Sequence, residues 1–213
     1  MACRSSIVAA AFLLAGTLSV AFAASNVEKI RNEKVIVLEE VLAPGEAEAN
    51  SVPLPSMVVY MAGNGATIQK TQGSQQKTAV NEGGVLFQPA NSGVLKNTGT
   101  KPLHFVRVEY LTNGSSETWG ATGLAPNYKV VLENRYGRVY DIKIPAGAKE
   151  PQHTHHDRIV ISLSGAKLEH LLPSGQVQLS TLKTGEIVWR RGGTHVGHNM
   201  GSTNLWVIAV EPK

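Results

Sequence analysis

Five of the seven histidines of this chain lie in two short windows, residues 152–158 and 194–199. In an extended strand, side chains at positions i and i+2 leave the same face. His153 and His155 are therefore expected to point together, and His195 from a distant strand could join them. Such a pair also occurs on solvated loops, but neutral imidazoles that converge bind transition metals. The spacing favours a metal site on His153, His155 and a third histidine.

The second half of the chain repeats the first at a constant offset of 102 residues. Between residues 37–109 and 139–211, 14 of the 73 aligned positions are identical without a gap. Turns with positive φ favour glycine, so matched glycines indicate matched turns. They are Gly45 with Gly147, Gly63 with Gly165, Gly73 with Gly175, and Gly83 with Gly185. The pattern predicts two copies of one β domain.

Short runs rich in β-branched and aromatic residues predict an all-β chain, since helical periodicity is scarce. Gly and Asn turn signals separate the runs. They cover residues 35–38, 85–87, 105–108, 159–163, 187–189 and 205–210. We expect a first copy over residues 30–112, a linker over 113–127 and a second copy over 128–213. In the run 159–163, either the odd-numbered or the even-numbered side chains could face the interior.

These motifs resemble the two motifs of the cupin superfamily, and the resemblance covers about residues 30–213, as in a bicupin. They comprise Gly147, His153, His155 and Gly165, followed by Gly185, His195 and Asn199. The resemblance implies two tandem jelly-roll (double-stranded β-helix) barrels. It also implies one metal held by three histidines and a glutamate. Carried over, His153, His155 and His195 take the histidine positions, and Asn199 is a structural position.

Arg158 stands where that family usually has its metal-binding glutamate. An arginine cannot ligate a cation, but its guanidinium could hold an anionic substrate beside one. Asp157, two residues beyond His155, would lie on the histidine face by strand alternation and could supply a fourth ligand. Three alternatives follow: Asp157 completes the site, the site has no carboxylate, or Arg158 points outward and metal binds poorly.

The first copy has no imidazoles at the matched positions. Ser51, Pro53 and Gly93 stand in place of the three histidines, and Ser56 stands in place of Arg158. None of these residues is a strong metal ligand. We expect the first copy to be a structural or dimerisation unit with an empty pocket.

The N-terminus has the pattern of a secretory signal. Arg4 precedes an apolar stretch over residues 7–20, and an A-x-A site ends at Ala23. The stretch is shorter than the roughly 20 residues of a membrane span. We expect cleavage after Ala23 and a secreted or periplasmic protein without a stable membrane span, the alternative being an uncleaved anchor. Cleavage would remove Cys3, the only cysteine, so disulfides and thiolate ligands are excluded.

The charge of the chain is mildly basic, with 20 Lys and Arg against 16 Asp and Glu. The longest basic run is Arg190-Arg191, so nothing indicates nucleic-acid binding. That pair reads as a solvated strand end or as an anion-facing group. Gly192-Gly193 reads as the turn that delivers His195.

Three functions fit these patterns. The first is a mononuclear metalloenzyme, such as a dioxygenase-like oxidoreductase or a lyase, acting on a small organic anion that carries a carboxylate. The second is a non-catalytic metal-binding or ligand-binding module, and the third is a structural protein with vestigial histidines. Imidazole ligands suit divalent Fe, Mn, Ni, Cu or Zn. His156 and His198 are candidate proton carriers beside the metal, and a homo-oligomer is expected.

Overall fold

The computed structural model describes residues 25–49, 52–62, 67–70, 77–117, 119 and 124–213. The predicted signal and Ser51 lie outside these residues. The described residues form seventeen strands and no helix, as the all-β prediction requires. None of them therefore forms a helix long and apolar enough to cross a membrane.

The strands follow one another without helical crossovers. In chain order they are β1 (Ser25–Arg31), β2 (Val35–Leu42), β3 (Ser56–Ala62), β4 (Thr67–Lys70), β5 (Lys77–Ala79), β6 (Val85–Gln88), β7 (Leu95–Asn97), β8 (Leu103–Tyr110), β9 (Tyr128–Glu133), β10 (Gly137–Ile144), β11 (His153–His155), β12 (Arg158–Ser164), β13 (Ala166–Leu171), β14 (Val177–Leu182), β15 (Ile187–Arg190), β16 (Gly193–Asn199) and β17 (Leu205–Pro212).

Each copy contributes one five-stranded sheet and one smaller sheet, all antiparallel. In the first copy the orders are β1-β2-β8-β3-β6 and β5-β4-β7. In the second copy they are β9-β10-β17-β12-β15 and β11-β16-β13-β14. Four strands of the first copy, β2, β3, β6 and β8, have counterparts β10, β12, β15 and β17 shifted by 102 residues at both ends. The internal repeat of the sequence is therefore also a repeat of strands.

Asn97 and Asn199 show that the repeat extends to side-chain contacts. Each amide donates to two backbone carbonyls that are themselves related by the same offset. Each side-chain oxygen accepts from the N–H two residues later, at Gly99 or Gly201. These buried amides close equivalent turns at the ends of β7 and β16.

The two five-stranded sheets pack on one shared apolar core. It contains buried side chains from both copies: Val35, Val37, Met57, Val59, Met61, Val106, Val108, Tyr110, Val139, Ile159, Ile161, Leu163, Ile187, Ile208 and Val210. Ile159, Ile161 and Leu163 of β12 all face this core. Because side chains alternate along a strand, Arg158 and Val160 point toward the interior of the second copy. The odd-numbered side chains of β12 thus face the shared core, and the even-numbered ones face the interior.

In the described part of the first copy, a buried arginine and its partners occupy interior space where an empty pocket was expected. Arg107 of β8 is 1% exposed and lies at the centre of this space. Its guanidinium donates to Glu40 and Ser56 at 3.0 Å each, and also to Gln88 and Glu48. Arg107 and its carboxylate partners therefore occupy the interior of the first copy. None of the positions matched to the metal site lies on β8, the strand that carries Arg107.

Candidate metal centre

The three predicted ligands converge in the second copy. β11 and β16 pair so that His153 lies directly opposite His195, and alternation along β11 puts His155 on the same face. The nitrogen atoms that these side chains offer all lie within 4.8 Å of one another. All three residues are buried. This arrangement is what a metal held by three imidazoles requires.

Hydrogen bonds fix the orientation of two of the rings. Nδ1 of His153 lies 2.9 Å from the carbonyl of Pro151, and Nδ1 of His155 lies 3.3 Å from that of His156. A carbonyl accepts only from a protonated nitrogen, so both rings keep a lone pair on Nε2. Nε2 of His155 is buried with no hydrogen-bond partner among the described residues. An orphaned, unprotonated imidazole nitrogen fits a metal ion.

The electrostatics of the cluster keep the imidazoles of His155 and His195 neutral. Burial, followed by the positive charge of Arg158, lowers the pKa of His155 to about 2. Burial, followed by the neighbouring His170, lowers the pKa of His195 to about 3. Both rings are therefore uncharged near neutral pH, which is the form that ligates a metal.

The turn before His195 is tied to the turn after His155. The Gly192 N–H donates to Oδ1 of Asp157 at 2.6 Å. A Cβ on Gly192 would lie 2.8 Å from the His155 carbonyl oxygen, so this close approach requires glycine. The structure therefore uses Asp157 to join the two turns and does not bring it into the imidazole cluster. Of the three alternatives, the one in which Asp157 completes the site is therefore not supported.

Glu211 supports the same turn from the other side. It is fully buried, and its carboxylate accepts from the His156 N–H at 3.0 Å and the Tyr140 hydroxyl at 3.0 Å. The Arg138 guanidinium lies 3.1 Å from the same carboxylate. This buried ion pair fixes the backbone that follows His155.

Arg158 points inward, and its side chain is 7% exposed. Its Nε and Nη1 have no hydrogen-bond partner among the described residues. Arg190 lies directly opposite on β15, and directly opposite residues share a face of the sheet. The positive charges of Arg158 and Arg190 therefore lie on the same face of the sheet. For Nε and Nη1, the buried guanidinium of Arg158 lacks hydrogen-bond acceptors in the part of the chain that the structure describes.

A cavity of about 1080 Å³ opens beside the cluster. Its polar lining includes His155, His195, Arg158, Arg190 and Arg191, with Glu150 as its carboxylate. The remaining wall is largely aliphatic. A ligand in this space would contact both the imidazoles and the guanidinium.

His156 and His198 lie apart from the cluster of three. His156 is exposed, and its ring stacks on Trp119 with 4.0 Å between centroids. The predicted linker therefore docks on the second copy through Trp119. His198 lines the cavity, and its Nδ1 lies 3.4 Å from Glu169. Of these two predicted proton carriers, only His198 faces the cavity.

Three residues near the site were missed in the sequence. His170 of β13 has its ring 4.6 Å from that of His195, and the Tyr128 hydroxyl lies 3.0 Å from Nε2 of His153. Glu150 accepts from Asn127 at 2.8 Å, and burial raises the pKa of its carboxyl. Glu150 matches Glu48 in the repeat and could have been found that way. His170 and Tyr128 carry no such signal, because only the packing of β13 and β9 brings them near.

No protein-family model matches this sequence, and no curated protein matches it. Solved structures do resemble it. AerE from Microcystis aeruginosa is 17% identical with a TM-score of 0.62, over 89% of this chain and 97% of that one. A cupin 2 conserved barrel domain protein from Leptotrichia buccalis is 13% identical with a TM-score of 0.59, over 92% of each chain.

A variant oxalate decarboxylase from Bacillus subtilis is 14% identical with a TM-score of 0.55, over 84% of this chain and 69% of that one. Identities this low show a shared fold and nothing finer. The chain therefore has the all-β fold of cupin-domain proteins.

Proposed function

We propose that this chain is a bicupin, with copies at residues 30–112 and 128–213, whose second copy is a metal-dependent enzyme for a small organic anion. His153, His155 and His195 hold one divalent transition metal, and Arg158 holds the anion. One observation carries the proposal: Nε2 of His155 and two nitrogen atoms of Arg158, Nε and Nη1, are buried without partners among the described residues, and both residues line one cavity. An unsatisfied buried polar group costs about 1–3 kcal/mol, which bound ligands would offset.

The donor set fits a metal that keeps open coordination positions. Three neutral imidazoles leave at least one position for water or substrate, and imidazole suits Fe, Mn, Ni, Cu and Zn. When bound, such a metal polarises an oxygen of its ligand. Burial raises the pKa of Tyr128, so its hydroxyl keeps its proton, and it lies 3.0 Å from Nε2 of His153. A metal on that nitrogen would take its lone pair and leave the Tyr128 hydroxyl free to donate to the bound anion.

The charge of the cavity favours a carboxylate. A metal and the Arg158 guanidinium repel each other unless an anion lies between them, and a guanidinium binds a carboxylate through parallel hydrogen bonds. One structural neighbour is by name a decarboxylase of oxalate, itself a carboxylate, which supports the same substrate class. The reaction is then an oxidation or a carbon–carbon cleavage beside the carboxylate.

Metal analysis of the purified protein tests the proposal. We expect about one transition metal per chain in the unaltered protein, and loss of that metal in His155→Ala and His195→Ala. His104→Ala is the matched control, because His104 lies in the first copy and contacts Glu39. Metal retained in both second-copy variants would refute the site. A metal-loaded protein that binds carboxylates without turning any over would be a binding module.

A further inference from the structure

The cavity of the second copy has a basic end at Arg158 and Arg190 and a largely aliphatic end, where Asn127 joins the Lys143 carbonyl to the Glu150 carboxylate that also lines the cavity. Arg158 and Arg190 lie opposite each other where β12 and β15 meet the histidine cluster. Ile142 and Val207 continue the wall on β10 and β17. Ile144 and Leu205 then close the far end of these strands, and all four aliphatic residues line the cavity.

Strand register separates the two ends. Ile159, next to Arg158, lies opposite Val210 of β17. Leu205 is five residues from Val210 along the same strand, which is about 17 Å in an extended chain. A ligand that reaches both ends is therefore an elongated molecule of several bonds, far longer than a bare carboxylate.

At three interior positions of β12 and β17 the second copy has smaller side chains than the first copy has at the matched positions. Tyr60 and Phe105 fill the corresponding space of the first copy, with ring centroids 6.2 Å apart, and both are buried. At the matched positions the second copy has Ser162 and Val207. Ala209 likewise stands where the first copy has Arg107. Equivalent backbone positions thus hold large side chains in the first copy and small ones in the second.

Resting on the proposed function, we infer that the anion held at Arg158 is an amphipathic carboxylate with an apolar body. The carboxylate lies at the metal and Arg158, and the body lies along Ile142, Val207 and Leu205. A small dicarboxylate would leave this aliphatic wall exposed to water, which is unfavourable in proportion to its apolar area. An apolar body removes that surface from water.

Calorimetry of the metal-loaded protein with acetate, butanoate, hexanoate and octanoate tests the inference. Burying one methylene fully tightens binding by about fourfold. We therefore expect octanoate to bind at least 100-fold more tightly than acetate. If affinity is independent of chain length while acetate binds, the inference fails and the proposed function stands. If no carboxylate binds the metal-loaded protein, both fail.

Val207→Phe places in the aliphatic end of the cavity the side chain that the first copy has at the matched position, Phe105. We expect octanoate affinity to fall at least tenfold, while acetate affinity and metal content stay unchanged. Val177→Phe on the exposed strand β14 adds the same bulk away from the cavity and serves as the control. Should Val207→Phe fail to bind metal, Val207→Leu makes a smaller change at the same place. Octanoate affinity unchanged in a metal-loaded variant at residue 207 would overturn the inference.

Discussion

Arg158 provides the sharpest test of the site, because replacing it should move metal affinity and anion affinity in opposite directions. Arg158→Met keeps an unbranched side chain and removes the charge. The guanidinium already helps to lower the pKa of His155 and of His195, so it repels a proton at those rings. A divalent metal at the same rings is repelled more strongly. We expect the variant to bind the metal at least tenfold more tightly.

The same variant should lose affinity for carboxylates. Nε and Nη1 of Arg158 are the two donors left without partners, and each charge-assisted hydrogen bond contributes about 1.5–3 kcal/mol. A loss of about 3 kcal/mol corresponds to about 150-fold in Kd for acetate. Arg158→Glu should extend both trends, since it restores a carboxylate at this position.

Competition with a chelator measures metal affinity, and calorimetry with acetate measures anion affinity. Arg190→Met is the comparison variant: Arg190 is exposed, so solvent screens its charge and both effects should stay below about 1 kcal/mol. If Arg158→Met leaves both affinities unchanged, Arg158 does not act between metal and anion.

Three further predictions concern other parts of the chain. Arg107→Met should lower the free energy of unfolding by about 3–5 kcal/mol in urea, because it leaves buried Glu40 and Glu48 without their cation; a loss below 1 kcal/mol would contradict the ion-pair network. Gly192→Ala should reduce metal content by pushing on the His155 backbone, whereas Gly175→Ala, with open space around it, should not; equal metal content in both would contradict this close approach. Export should yield a chain that starts near Ala24 in intact-mass measurement, and a retained Met1 would contradict cleavage.

The sequence was sufficient to predict six of the seventeen strands and the pairing of His153 with His155 on one face, because both follow from short-range rules. Alternation places His153 and His155 on one face whatever the rest of the chain does. The resemblance to the cupin motifs then supplied His195 as the third imidazole. The fold class was confirmed, since it follows from the same short-range rules as the strands.

The sequence failed where a rule was extended past the end of an element. Asp157 was placed on the histidine face by alternation, but β11 ends at His155, and residues 156 and 157 form the turn to β12. There Asp157 is free to bind the Gly192 N–H instead. The role of Arg107 could not be predicted from the four positions of the first copy that match His153, His155, Arg158 and His195. None of those four positions lies on β8, which carries Arg107.

The two copies differ in their interior side chains, and among the described residues the candidate site lies in the second copy. Arg107, Phe105 and Tyr60 are large side chains on interior positions of β8 and β3, and their counterparts in the second copy are alanine, valine and serine. Removing that bulk from a packed core would normally be costly, at about 24 cal/mol for each Å³ of void. The second copy retains its void, and its walls carry unsatisfied donors at one end and aliphatic side chains at the other. A cavity of that composition is expected to persist only where bound ligands offset the free energy that the void and its unpaired donors cost. In the first copy, Arg107 and its carboxylate partners occupy the corresponding space instead.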